Sequence, residues 1–480
     1  MLTLTDFKQR ILGPLLRGDS PADESPLTLF AARLDYPLVY VFESNQWAEL
    51  RGAAKRLARA GEKLSTILAA DGFTPDMLLH NSPLSVLALC HDPALAQRWV
   101  EAIERAVATE TDIVTVSTVL LPVTTQQLIG GLYSSPRSVI GVPGMNDYQE
   151  RINRYYGLNS PSTVPKDDTI AQRRHFGEVI ALLHTLLARA SESRQIVPFY
   201  EALPFAERCE SCRVRPAETL QDRNPICGVC LRKRTETGRD SSFAASTSRP
   251  KHPAIIRIEA IGLDQLLEQQ PTPLAYRRLC QEMLDVFRSA PNQFPDVTRL
   301  ASDTGWMTLA TPAAEALDIA ATILESMALH YGLKLPTTFA AGIALGTDEL
   351  PALNDLAEQT FTFLRRIEGN ASLIDVRVYQ PDQPFDRFRK PYTLDETRRL
   401  SEGVALLQSA KLPEGLFAEL SEQAAHGNAG LYYTFERSKL PQVDQQTLQR
   451  LEHAWEVGAA PGSRFFAMLT VALALATQEP

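Results

Sequence analysis

The chain has 480 residues, and its apolar content of 44% and charged content of 22% exclude a disordered or collagen-like protein. This length exceeds what a single hydrophobic core supports, so we expect roughly three or four domains. The formal net charge of −9 argues against a protein that coats nucleic acid over its whole surface, whereas local basic patches stay compatible with RNA binding.

No segment has the pattern of a membrane span or a secretory signal. The longest apolar run, over residues 465–476, is well short of the roughly 20 residues that cross a bilayer as a helix. The first residues lack the small-residue cleavage site of a signal peptide. We therefore expect a cytoplasmic protein without a membrane partner.

The first regular unit is predicted over residues 36–130, after an N-terminal extension over residues 1–35. Apolar periodicity and turn signals predict, in chain order, a strand over 36–42, a helix from Trp47 to Leu68, strands over 77–80 and 84–90, a helix over 94–107 and a strand over 112–119. The order β-α-β-β-α-β is the ferredoxin-like arrangement.

A linking segment over residues 131–250 follows. Loops are predicted over 134–143 and 160–168, a helix over 173–194, and a flexible linker over 238–250. The segment also contains two C-x-x-C pairs, formed by Cys209, Cys212, Cys227 and Cys230. Paired knuckles of this kind supply the four soft ligands of a tetrahedral, closed, structural zinc site.

Several side chains in this segment are candidates for RNA contact, because positive charge there is mixed with aromatic rings or crowded around the cysteines. They are Arg151, Arg154, Tyr155, Tyr156, Arg213, Arg215, Arg232 and Lys233. The alternative is an ordinary solvated surface with a packed tyrosine pair, and the sequence leaves both open.

The order of the first unit returns over residues 251–381. The predicted elements are a strand over 254–259, a helix over 263–288 interrupted by prolines, strands over 297–301 and 306–310, a helix over 313–331, a strand over 338–345, a helix over 351–367 and a strand over 374–378. Residues 382–480 are predicted to be all helical, with helices over 394–412, 416–425, 445–457 and 465–476. The predicted fold class is α+β.

Two ferredoxin-like domains around a four-cysteine segment, followed by a helical end, resemble the large subunit of type III CRISPR effector complexes, the Cmr/Csm palm polymerase-cyclase family. The local motifs that carry the resemblance are RCESCRVRPAE…PICGVCLRKR over 208–234, FAAGIALG over 339–346, NAS over 370–372, LLQSA over 406–410 and LYY over 431–433. The resemblance covers residues 36 to the end and implies two palm domains and an all-helical C-terminal domain.

The sequence departs from the family at both of its catalytic centres. The turn that holds G-G-D-D in cyclase-active members is Ser302-Asp303-Thr304-Gly305 here, and the metal-binding aspartates after the first strand are replaced by residues 259–262, Glu-Ala-Ile-Gly. No HD nuclease domain is recognised before residue 36, and His91-Asp92 is interpreted as the entry of a helix.

The resemblance therefore implies a scaffold subunit without cyclase or HD nuclease activity, in an RNA-guided antiviral complex. Its partners would be guide RNA, target RNA, RAMP-type subunits and small helical subunits. One alternative is an active nucleotidyl cyclase that makes cyclic oligoadenylates with Mg²⁺ or Mn²⁺ held by Glu259, Asp264 and Asp303. Another is a stand-alone palm-and-zinc signalling protein. The sequence contains no P-loop, G-x-S-x-G or H-E-x-x-H motif.

Overall fold

The computed structural model describes residues 3–17, 19, 21, 25–70, 75–132, 175–193, 207–236, 249–294, 297–331, 338–366, 372–378, 391–409 and 472. Several predictions lie outside these residues: the RNA-contact candidates Arg151, Arg154, Tyr155 and Tyr156, the loops over 134–143 and 160–168, the helices over 416–425 and 445–457, nearly all of the linker over 238–250 and all of the helix over 465–476 except Ala472. The described part is mixed α+β, as predicted.

The first unit contains a four-stranded antiparallel sheet, in which the strands lie in the order β2 (Leu78–Asn81), β3 (Ser85–Cys90), β1 (Pro26–Leu34) and β4 (Val116–Thr124). A helical segment precedes it over Leu4–Asp6, Phe7–Leu12 and Gly13–Arg17. The elements that follow are β1 (Pro26–Leu34), α1 (Pro37–Val41), α2 (Trp47–Ala70), β2 (Leu78–Asn81), β3 (Ser85–Cys90), α3 (Pro93–Thr111), β4 (Val116–Thr124) and α4 (Thr125–Gly130).

The predicted first strand over residues 36–42 is wrong, because most of that segment is the short helix α1. Tyr36 has a left-handed backbone with φ of 48°, and Pro37 occupies the first helical turn. Proline suits that position because its fixed φ matches the helix and its missing N–H would have no helical partner. The first strand is instead Pro26–Leu34, within the predicted N-terminal extension. Its side chains are almost continuously buried, as expected for a central strand.

The second unit contains a six-stranded sheet. Its elements are β7 (Pro253–Ile261), α7 (Leu263–Leu267), α8 (Pro273–Ser289), β8 (Thr298–Ser302), β9 (Trp306–Pro312), α9 (Ala316–Tyr331), β10 (Thr338–Leu345), α10 (Leu350–Leu364), β11 (Leu373–Val378), β12 (Tyr392–Thr393) and α11 (Leu394–Ser409). The strand order in this sheet is β12-β11-β10-β7-β9-β8. Within it, β8-β9-β7-β10 repeats the strand order of the first sheet, and β11 pairs parallel to β10.

Between the two units lie one long helix and a small module. The long helix is α5 (Phe176–Ser193), close to the prediction over 173–194. The cysteine module, residues 207–236, contains the hairpin β5 (Thr219–Gln221) and β6 (Asn224–Ile226), then the helix α6 (Gly228–Glu236). Within the described residues, no helix is both long and apolar enough to cross a membrane.

The two units pack against each other in a reciprocal way. Helix α2 of the first unit contacts β8 of the second, and α8 of the second contacts β2 of the first. Equivalent elements exchange contacts in this manner at two-fold interfaces, so the arrangement has the form of an internal dimer. The side chain of Asn45 adds a polar contact, because its Oδ1 accepts a hydrogen bond of 2.8 Å from the backbone N–H of Leu350 at the start of α10. One hydrophobic core runs through both units.

A buried carboxyl at the start of α5 predicts a pH-dependent stability. Glu178 accepts a hydrogen bond of 3.1 Å from the backbone N–H of Leu132, yet burial raises its pKa to about 8. Since this pKa lies above the ordinary value of 4.5, the folded state holds the proton more tightly than the unfolded state. The contribution of Glu178 to stability is therefore full below pH 4.5 and is lost as the pH rises through about 8.

We expect Glu178→Gln to raise the melting temperature at pH 9 and to have little effect at pH 4.5. The amide imitates the protonated carboxyl and removes a penalty of about 1.4 kcal/mol per pH unit between the two pKa values. Thermal unfolding followed by circular dichroism across this pH range measures the effect. Glu192→Gln, on the exposed end of the same helix, is the matched control. Equal shifts for both variants at every pH would contradict the burial of a protonated Glu178.

Candidate metal centre and inter-unit cavity

The four predicted cysteine ligands come together in the module between the two units. All four are buried and unpaired by disulfides, and their sulfur atoms lie within 4.8 Å of one another. Tetrahedral zinc with Zn–S bonds of about 2.3 Å requires S···S distances of about 3.8 Å. The Sγ atoms of Cys212 and Cys227 lie 3.9 Å apart. The cluster is therefore compatible with zinc.

Local backbone hydrogen bonds hold each knuckle in shape. In the first, the N–H of Cys209 donates to the carbonyl oxygen of Arg215 at 2.8 Å, and the N–H of Arg213 donates to the carbonyl oxygen of Cys209 at 2.9 Å. In the second, the N–H of Cys230 points at Sγ of Cys227 at 3.5 Å. The short β5–β6 hairpin spans the residues between the knuckles and so brings the two pairs together.

A chain of alternating charges connects the cysteines to the first unit. Nη1 of Arg215 lies 3.9 Å from Sγ of Cys212 and 3.8 Å from Sγ of Cys227. The same guanidinium forms a two-pronged ion pair with Glu43, one contact of which is 3.1 Å. Burial disfavours the charge of Arg215, but the Glu43 carboxylate and the thiols outweigh it and raise the pKa of the guanidinium. Glu43 also accepts a hydrogen bond of 3.0 Å from Nζ of Lys233.

Helix α6 of the module is docked closely on α2. A Cβ atom added to Gly52 of α2 would lie 1.7 Å from the carbonyl oxygen of Lys233, so only glycine permits this approach. Ion pairs flank the contact: Nη2 of Arg234 lies 2.6 Å from Oε1 of Glu49, and Arg59 binds both carboxylate oxygens of Glu236 at 2.7 Å. Glu49 is fully buried, so its pairing with Arg234 is required for the docked state.

The basic residues predicted to surround the cysteines have different environments. The backbone of Arg213 is in a left-handed turn, and its side chain is exposed. Arg232 is half exposed and pairs with Asp112 at 2.9 Å. Lys233 is 1% exposed, and its ammonium donates to the carbonyl oxygen of Tyr40 at 2.7 Å. Arg215 is likewise mostly enclosed by its pairing with Glu43. Lys233 and Arg215 are thus largely enclosed between the module and the first unit, whereas Arg213 and Arg232 are open to solvent.

A cavity of about 700 Å³ lies where the two units and α5 meet. It is lined by Glu259 near the end of β7, Asp264 in the first turn of α7 and Asp303 in the turn between β8 and β9. The three carboxylates that the cyclase alternative requires thus all line the same cavity. They do not converge as metal ligands, since among the described residues only the four cysteines form a group of three or more with suitable spacing.

One arginine pairs directly with Glu259, and a second arginine lies nearby. Nη2 of Arg365 donates to both carboxylate oxygens of Glu259, at 2.8 and 2.7 Å. Burial raises the pKa of Glu259, and the positive charge of Arg365 opposes that rise. The neighbouring Arg257 pairs with Glu358 and lies over the ring of Trp306 at 5.4 Å. A guanidinium therefore supplies the positive charge that a divalent cation would bring to this carboxylate.

Hydrogen bonds from both units surround Asp303. Oγ of Ser85 donates to its Oδ1 at 3.2 Å, and the backbone N–H of Thr304 donates to the same oxygen at 2.8 Å. Oγ of Thr304 lies 3.0 Å from Nε2 of His80, which is also 3.0 Å from Oγ of Ser85. Burial lowers the pKa of His80 to about 4, so the imidazole is neutral near pH 7. The turn over 302–305 is thus fastened to the β2–β3 hairpin of the first unit.

Sequence reasoning missed five residues that shape these sites: Glu43, His80, Ser85, Arg257 and Arg365. Each acts through a partner far away along the chain, such as the pair Arg215–Glu43, which is 172 positions apart. A single sequence carries no signal of such pairings.

No protein-family model matches the sequence, and no curated protein matches it. Solved structures with a similar fold include Csm1 from T. onnurineus, with a TM-score of 0.52 and 11% identity over 97% of this chain and 71% of that one. A Csm1–Csm4 cassette in complex with pppApApA gives 0.52 and 11% over 97% and 72%, and one in complex with cA4 gives 0.51 and 12% over 95% and 70%. At this identity the similarity concerns the fold.

Proposed function

We propose that this protein is the large scaffold subunit of a type III-like CRISPR RNA-guided antiviral effector complex. The observation that carries the proposal is the architecture: two units with the same strand order share one core, and a four-cysteine module that separates them in the sequence is docked on the first unit. The fold similarity to Csm1 extends over 97% of the chain, which supports the same general role. In this interpretation both units are ferredoxin-like palms, the residues after 382 form a helical C-terminal domain, and the protein is cytoplasmic.

We propose further that zinc in the cysteine module is structural. Four thiols fill a tetrahedral coordination sphere and leave no position for substrate or water. The bound metal would fix the two knuckles and the start of α6, through Cys209, Cys212, Cys227 and Cys230. Arg213 and Arg232 are the described side chains that remain candidates for RNA contact, together with Arg151, Arg154, Tyr155 and Tyr156 outside the described residues.

The environment of the carboxylates supports a scaffold rather than a cyclase. Two-metal nucleotidyl transfer needs several carboxylates around ions about 3.5–4 Å apart. Here Glu259 is paired with Arg365, and Asp303 accepts hydrogen bonds from Ser85 and Thr304. The turn also lacks the two aspartates of the family motif, because Thr304 and Gly305 stand at those positions.

Incubation of the purified protein with ATP and Mg²⁺ or Mn²⁺, with and without target RNA, is expected to give no cyclic oligoadenylate. Chromatography of the products measures the outcome, and a cyclase-active large subunit assayed in parallel controls for the conditions. Oligoadenylate that is formed by this protein and lost in Asp303→Ala would support the alternative, an active cyclase with substituted ligands. The cavity of about 700 Å³ beside Glu259, Asp264 and Asp303 is the observation that keeps this alternative open.

Native purification distinguishes the effector subunit from a stand-alone palm-and-zinc signalling protein. We expect the tagged protein to bring down RAMP-type subunits, small helical subunits and a short guide RNA. A monomer free of RNA under the same conditions would remove the effector assignment and favour the stand-alone alternative.

A further inference from the structure

A mostly enclosed arginine lies directly against the sulfur atoms of the cysteine module. Arg215 presents Nη1 to Sγ of both Cys212 and Cys227, at 3.9 and 3.8 Å. Its side chain is 16% exposed. This position is not explained by docking alone, because the guanidinium touches one cysteine from each knuckle and so bridges the two halves of the cluster.

The positive charge of Arg215 can offset part of the negative charge of a zinc-bound cysteine cluster. Zn²⁺ with four thiolates carries a net charge of −2, and a buried charge is costly unless it is paired and hydrogen-bonded. N–H···S hydrogen bonds from a cation offset part of that charge and orient the ligands. Other cations of the module are directed elsewhere: Lys233 points its ammonium at Glu43 and at the carbonyl oxygen of Tyr40, and Arg234 pairs with Glu49. Arg215 is therefore the cation that is placed to donate hydrogen bonds to the metal ligands Cys212 and Cys227.

On the side away from the cysteines, the guanidinium of Arg215 contacts the first unit. Glu43 lies just beyond α1, binds the guanidinium of Arg215 and also accepts from Lys233. The charges thus alternate from the metal centre through Arg215 and Glu43 to Lys233, which lies 3.9 Å above the ring of Tyr40. A change in the charge of the cysteine cluster must alter how strongly Arg215 and Glu43 hold the module on α1 and α2.

We propose that Arg215 is a positioning residue that couples zinc retention to the docking of the module on the first unit. The inference rests on the proposed zinc occupancy. Coupling of this kind is reciprocal: zinc strengthens docking, and docking strengthens the binding of zinc by the same free energy. We expect the tighter binding to show as slower release of the metal. A side chain of the module that contacts neither the sulfur atoms nor the first unit would leave the lifetime of the bound metal unchanged.

The test measures zinc release into a chromogenic chelator from the full-length protein. Loss of a residue that hydrogen-bonds to metal ligands typically lowers metal affinity about 10- to 100-fold. We expect this loss to fall on the release step, so that Arg215→Ala releases zinc faster than the unmodified protein by about the same factor. Arg208→Ala is the matched control, since Arg208 is an exposed arginine of the same module. Release at the same rate from both variants would overturn the proposal.

A second variant keeps the test decisive if Arg215→Ala does not fold. Glu43→Gln changes no residue of the module, so faster zinc release from it than from the Arg208 control supports the coupling, and an unchanged rate refutes it. Hydrogen exchange of α6 provides a readout independent of the metal, and we expect it to increase in both variants. The zinc content of the unmodified protein is measured first: absence of zinc contradicts the proposed occupancy, whereas zinc with unchanged release rates contradicts only the coupling.

Discussion

Cys227→Ser should lose its zinc and unfold the cysteine module while both sheets remain folded. Structural zinc contributes on the order of 10 kcal/mol of binding free energy to small modules of this kind, and that binding is folding free energy. The module contains only the two-stranded β5–β6 ladder and the nine-residue helix α6, which alone would not stay folded. Removal of one ligand therefore removes most of what holds residues 207–236 in shape.

The measurement combines zinc content by mass spectrometry with hydrogen exchange of the whole chain. We expect exchange to increase over 207–236, with a smaller increase along α2 where α6 was docked. The strands of the second sheet should keep their protection, because their ladders contain no contact with the module. Cys280→Ser is the matched control: Cys280 is a buried cysteine of the second unit and is not part of the four-cysteine group. Loss of protection across both sheets in Cys227→Ser would mean that the metal supports the whole fold.

Local patterns were sufficient to predict the parts of the chain whose structure is determined locally. The spacing of the cysteines predicts the cluster because a C-x-x-C knuckle is formed by consecutive residues. The strand over 338–345 was predicted with the bounds it has, since its apolar run stands between turn signals. The segment over 36–42 is equally apolar, but Pro37 at the first turn of a helix decided its structure. Composition favours a strand there, whereas the backbone of proline favours the helix.

Contacts between distant residues were beyond prediction because no local pattern encodes them. His80 of the β2–β3 hairpin meets Thr304 of the β8–β9 turn at 3.0 Å, across 224 positions. Lys233 was predicted to be a surface residue from its basic neighbours, yet it is buried because Glu43 and the carbonyl oxygen of Tyr40 satisfy its charge. The tertiary partner, not the residue type, decides whether such a cation binds RNA or holds a module in place.

Docking of the module also depends on Gly52 of the first unit, because the backbone of Lys233 in α6 approaches α2 closely at this residue. Gly52→Ala places a Cβ atom 1.7 Å from the carbonyl oxygen of Lys233. Side-chain rotation cannot relieve this overlap, because the Cβ atom is bonded directly to the backbone of α2 and the carbonyl oxygen is part of the backbone of α6. We expect α6 to move away from α2, at a cost of about 1–3 kcal/mol from overpacking. Alanine favours an isolated helix over glycine by about 1 kcal/mol, so a loss of stability here would run against helix propensity.

Limited proteolysis and hydrogen exchange of α6, with the zinc release rate, measure the outcome: all three should increase in Gly52→Ala. Gly61→Ala is a stringent control, since it makes the same change in the same helix, but its Cβ atom would lie 1.9 Å from the carbonyl oxygen of Pro83 in the β2–β3 turn. That variant should loosen the hairpin and leave α6 protected and zinc release unchanged. If Gly52→Ala were instead more stable than the unmodified protein, with α6 unaffected, the close approach of α6 to α2 would be refuted. Faster zinc release from Gly52→Ala, a substitution in the first unit outside the module, would support the coupling of docking to metal retention, because zinc that strengthens docking must itself be bound more tightly in the docked state.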